Sequence, residues 1–169
     1  METVKQINSS EDQVGIQYDV LVLGLGNSWM GDEGVGVHIS QRMALMHLDH
    51  YIKVIDGGND LSFMEHYLEE FHKIIFVDAT NDGQPAGTVT HINPKKLTDF
   101  SSALAYHHDG VRNLLEKIFN MENPPQLHLV GISVDEVNPL QSGLSEVVED
   151  SQDRAIWQVI DLAETLHLH

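Results

Sequence analysis

Short apolar runs recur along this chain, two of them closing on aspartate, separated by stretches of helical spacing. That alternation constrains the fold more than any other feature. Tyr18–Leu25, Tyr51–Asp56, Lys73–Asp78 and Gln126–Ser133 are apolar or β-branched runs of strand length. Gly87–Ile92 alternates polar with apolar residues and reads as a half-exposed edge strand. Helical spacing covers Val37–Met46, with Val37, Met43 and Leu45 among its apolar residues. It also covers Leu61–Phe71, where Leu61, Met64, Leu68 and Phe71 form one stripe. His107–Phe119 carries Val111, Leu114, Leu115 and Ile118 on one side, and Ser145–Leu166 carries Val148, Ala155, Val159 and Leu162. Strands alternating with helices predict an α/β fold in three layers. A twisted, mostly parallel five-stranded sheet is expected, with helices on both faces and one antiparallel edge strand. A length of 169 residues suits one domain, expected over residues 18–169. The polar stretch 1–17 is expected to be a mobile extension.

Composition removes several kinds of chemistry. The chain has no cysteine, which excludes disulfides, iron–sulfur clusters, thiolate zinc sites and a cysteine nucleophile. A net charge of −17 repels phosphate backbones, so no nucleic-acid partner is expected, while solubility and basic partners are favoured. No run approaches the ~20 apolar residues of a membrane span, and the first residues lack the pattern of a secretory signal. The expectation is a cytoplasmic monomer without membrane contact. Gly24 and Gly26 follow the first strand, but Trp29 stands where the dinucleotide-binding GxGxxG pattern needs its third glycine. The acidic pair Asp32–Glu33 would also repel a pyrophosphate. There is no P-loop and no GxSxG elbow, so no nucleotide or organic cofactor and no serine hydrolase chemistry is expected.

In an open parallel sheet, ligands collect at the carboxyl ends of the strands, where the strand order reverses. Asp32 and Glu33 follow the first strand, Asp56 ends the second, and Asp78 ends the third. Each alone could simply cap a helix or be solvated in a loop. Asp78, closing the apolar run Ile74–Val77, must find a partner or a metal, because an unpaired buried carboxylate is costly. Among 11 histidines, His107 stands just before a helix; its neighbour His108 leaves the choice open, and spacing favours His107, whose +4 and +8 positions are Val111 and Leu115. Glu33, Asp78 and His107 together would make an O,O,N site with open positions. Such a site suits nickel or zinc better than magnesium. His47 and His50 lie in a polar stretch and read as surface residues.

Several segments together resemble a known family. GLGNSWMGDEGVG (Gly24–Gly36) resembles the GxGNxxxxDEGxG signature of hydrogenase maturation proteases. VIDGG (Val54–Gly58), VDAT (Val77–Thr80), PAGTV (Pro85–Val89) and the closing segment Val130–Val148 resemble further family motifs in the same order. The resemblance implies an endopeptidase that removes the C-terminal extension of a nickel–iron hydrogenase large-subunit precursor after nickel insertion. It implies that nickel comes with the substrate, another divalent metal being able to substitute, and that Glu33, Asp78 and His107 meet it. Asp56 with Gly57 and Gly58 would belong to a loop used in substrate recognition or cleavage. The metal could polarise the scissile carbonyl or activate water. It could equally only dock the precursor, with Asp56 or Asp78 activating the water. A non-cleaving accessory protein that binds nickel or the precursor is the alternative from another class.

Overall fold

The computed structural model describes residues 17–95, 98–100, 104, 109–135 and 142–169; the stretch 1–16 lies outside them. Five strands form one sheet: β1 (Val20–Leu25), β2 (Ile52–Gly58), β3 (Lys73–Thr80), β4 (Val89–Ile92) and β5 (Gln126–Ser133). Their order is β2-β1-β3-β5-β4. Neighbours pair in parallel except β4, which runs antiparallel to β5 at one edge. The alternation of the sequence therefore predicts both the sheet and its single reversed edge.

Side-chain parity explains the two helix layers, since successive residues of a strand point to opposite faces. Val20 and Val22 of β1, with Ile75 and Val77 of β3, face α1 (Val35–Ala44) and α4 (Glu146–His167). Leu21 and Leu23, with Ile74 and Phe76, face α2 (Glu65–Glu70) and α3 (Asp109–Phe119). Every residue of β1 is buried, as a central strand covered on both sides requires. Among the described residues, no helix is long and apolar enough to cross a membrane.

Two helices differ from expectation. The stripe Leu61, Met64, Leu68 and Phe71 is buried throughout, yet its backbone opens as a 3-10 turn (Ser62–Met64), and α2 lasts only from Glu65 to Glu70. Phe71 is already extended, at φ −110° and ψ 128°, because β3 begins two residues later. Helix α1 starts at Val35 and stops at Ala44, leaving Leu45 87% exposed. Met43 occupies the core-facing stripe, and Leu45 lies about 200° further round the helix.

From β1 the chain crosses through α1 on one face to β2, then returns through α2 on the other face to β3. β2 and β3 therefore flank β1, and the strand order reverses between them, so the carboxyl ends of β1 and β3 are where such a sheet ordinarily binds its ligand.

Candidate active site

The loop after β1 is shaped by glycines that let backbone approach backbone. Gly26 has φ +125°, and a Cβ there would lie 2.0 Å from the carbonyl oxygen of Glu33. A Cβ on Gly36 would lie 2.0 Å from the carbonyl oxygen of Val77. These contacts press the 3-10 turn Gly31–Gly34 and the start of α1 onto the ends of β1 and β3. The glycines thus serve close packing.

A 3-10 turn has three residues per turn, so adjacent side chains diverge by about 120°. Asp32 and Glu33 accordingly part company. Asp32 turns outward and accepts two hydrogen bonds from Ser145, from N–H at 2.6 Å and from Oγ–H at 2.8 Å. Glu33 turns inward and is 1% exposed.

Asp78 is 5% exposed and lies close enough to Glu33 to feel its charge. Its Oδ1 accepts the N–H of Ala79 at 2.7 Å. Burial pushes its carboxyl well above the usual carboxylate range; the Ala79 N–H pulls it down, and the negative charge of Glu33 pushes it up further. Asp78 therefore holds a proton more readily than an ordinary aspartate does.

Asp56 sits elsewhere. It is exposed at the end of β2; its Oδ1 accepts the N–H of Gly58 at 3.0 Å and its Oδ2 accepts Nε2–H of Gln41 at 2.8 Å. It pairs in register with Gly24 of β1, whose other neighbour is Val77, so two strand spacings, about 10 Å, separate it from the end of β3. Parity places it on the face of Val54 and α1, whereas Asp78 shares the face of Phe76 and α2. Its two bonds hold the Gly57–Gly58 turn, where Gly58 has φ +52° and its carbonyl accepts the N–H of Gly26 at 3.0 Å. The acidic loop and the glycine turn are thereby joined.

His107 and His108 lie outside the described residues. On either side of them, Leu104 makes an antiparallel bridge to Thr80 at the end of β3, and Gly110 packs against the carbonyl of Asn59. Among the described residues, no group of three or more histidines, cysteines or acids is arranged to hold a metal ion. Of the expected triad, two members are described, Glu33 and Asp78; both are buried, and the charge of Glu33 reaches Asp78.

Two functional-looking features escape a reading of the sequence. The Asp32–Ser145 pair spans 113 positions, and only the favoured helix-capping residue type of Ser145 hints at it. The second is a histidine pair at the β4–β5 edge, remote from the acids. Nδ1 of His128 and Nε2 of His91 share a hydrogen bond at 2.8 Å. His128 is 3% exposed and its Nε2 has no partner among the described residues. Burial, aided by His91 and Lys95, lowers its pKa to about 4.

Known proteins share both this sequence pattern and this fold. A family model described as hydrogenase maturation protease matches residues 37–162. The hydrogenase expression/formation protein HupD of Rhodobacter capsulatus is 30% identical over 145 residues, covering 83% of this chain and 69% of that protein. The hydrogenase 2 maturation protease of Escherichia coli (strain K12) is 28% identical over 145 residues, covering 83% and 88%. The solved structure of the hydrogenase maturating endopeptidase HybD from E. coli superposes with a TM-score of 0.71 at 23% identity, covering 87% of this chain and 93% of that one. That likeness shows the fold.

Proposed function

This chain belongs to the hydrogenase maturation protease family, and we propose that it is the endopeptidase that cuts the C-terminal extension from a nickel–iron hydrogenase large-subunit precursor once nickel is in place. The observation that carries this reading is the pair of buried carboxyls Glu33 and Asp78, whose charges act on each other, at the carboxyl ends of β1 and β3. Two carboxylates side by side out of water repel each other, and a divalent cation relieves both charges at once. Nickel delivered by the precursor would displace the proton from Asp78 and draw oxygen ligands from Asp78 and Glu33. His107 would supply the nitrogen ligand; support for it comes from its flanks, Leu104 bridged to Thr80 and Gly110 beside Asn59.

In the cut itself, water adds to the scissile carbonyl carbon, the C–N bond breaks, and the departing amine takes the proton. The substrate-borne metal is suited to polarising that carbonyl or acidifying the water. Asp56 holds the Gly57–Gly58 turn rather than reaching the acid pair, which favours a part in presenting the precursor over activating water.

The test mixes the protein with nickel-loaded and nickel-free precursor and weighs the products. A shortened subunit from the nickel-loaded precursor alone is expected, and Asp78→Asn should lose it. Tail removal at the normal rate by Asp78→Asn would remove this residue from the chemistry. Precursor bound yet never shortened would favour the accessory-protein reading.

A further inference from the structure

We infer that Asp32 is a positioning residue: with Ser145 it clamps the acidic turn to the start of α4 and so fixes where Glu33 points. The inference rests on the proposed role of Glu33 in meeting the substrate's nickel. Glu33 belongs to a four-residue 3-10 turn, a short element with few hydrogen bonds of its own. One side of that turn is pinned by Gly26, whose lack of a Cβ lets the Glu33 carbonyl approach. The other side is held by the two hydrogen bonds from Ser145 to Asp32. The anchor is rigid, because α4 runs for 22 residues and buries Val148, Ala155 and Val159 against the sheet.

Ser145 shows that the clamp is more than incidental contact. It occupies the N-cap position of α4, with φ −65° and ψ 155°, where a serine ordinarily turns its oxygen toward the N–H of N2 or N3. Here its side chain makes no capping hydrogen bond. The hydroxyl is given to Asp32 instead. The carboxylate of Asp32 in turn lies at the positive end of the α4 dipole, which favours its charge. The local preference of the helix start is thus overridden in favour of a bond to the residue beside Glu33.

The readout is the ratio of affinities for nickel-loaded and nickel-free precursor, measured by biolayer interferometry on immobilised protein. A loss of folded protein lowers both affinities alike and leaves the ratio unchanged, whereas a displaced Glu33 lowers the ratio. Asp32→Ala should reduce the ratio at least tenfold. Ser145→Ala, a milder change that keeps the backbone N–H, should reduce it by a smaller factor with the circular dichroism spectrum unchanged. Ser145→Thr, which retains the hydroxyl, should restore it. A ratio unchanged in both Asp32→Ala and Ser145→Ala would overturn the inference, as would Ser145→Thr falling as far as Ser145→Ala. Glu33→Gln separates the clamp from the role of Glu33 itself. If it keeps the wild-type ratio, the nickel reading fails and this inference fails with it; if it loses the ratio while the clamp variants keep theirs, only the clamp is refuted.

Discussion

Acid should destabilise this protein through His128, and the amount can be worked out. His128 is enclosed at the β4–β5 edge, hydrogen-bonded to His91, with a pKa of about 4. In the unfolded chain the same imidazole titrates near its ordinary value of 6.5. Between those values the unfolded state binds a proton that the native state refuses, so stability rises with pH. It is present in full above about 6.5 and is lost as the pH falls toward about 4. From pH 7 to pH 5 the loss attributable to His128 is about 2 kcal/mol. At this chain length that is a shift of roughly 4–8 °C in Tm. His91, whose pKa burial also lowers, adds to the loss with the same sign. Asp78 acts the other way, because its raised pKa makes the native state the better proton binder above 3.8. The comparison must therefore be between proteins rather than between pH values. His128→Gln stays neutral and can still bond His91. Urea midpoints of wild type and variant, followed by circular dichroism at pH 7, 6 and 5, give the difference in stability at each pH. The variant should gain about 2 kcal/mol on the wild type between pH 7 and pH 5. A gap that stays constant, or an NMR titration placing His128 near 6.5, would refute the reasoning.

Other consequences are quicker to check. Asp78→Asn removes a carboxyl whose charge burial and Glu33 both disfavour; thermal melts at pH 7 should show it more stable by about 1 kcal/mol, even as precursor processing disappears. The gain should fade only as the pH drops below 3.8, where Asp78 becomes protonated in the unfolded chain as well. Gly36→Ala would drive a Cβ to 2.0 Å from the Val77 carbonyl oxygen, and urea unfolding should register a loss of about 3 kcal/mol or no folded protein. Asp153→Ala breaks the ion pair with Arg42, whose side chains are 77% and 47% exposed; its urea midpoint should move by less than about 0.5 kcal/mol in stability.

Much of this architecture is written in local patterns. Strand parity in Ile74–Val77 and periodicity in Leu61–Phe71 mark the residues that end up buried, and Glu33 and Asp78 are both buried at the strand ends. What local pattern leaves out is the order of strands. Asp56 and Asp78 both end apolar runs, and only the knowledge that β1 stands between β2 and β3 separates their carboxylates. Their phases differ as well, Asp56 sharing the face of Val54 and Asp78 that of Phe76. The Asp32–Ser145 bond joins residues too far apart in the chain for any window to see. His128 shows the limit of residue-type reasoning: one histidine among 11 is buried where the register of β5 sets it beside Ile75 of β3, which neither strand declares alone.

The close approach of the Gly24–Gly36 loop to the strand ends bears on protein engineering. Half of the loop's shape resides in atoms it does not own, the Val77 carbonyl on one flank and Ser145 on the other. Grafted alone onto another scaffold, those residues would keep their composition and lose their geometry. A transplant would have to carry the end of β3 and the head of α4 along with it.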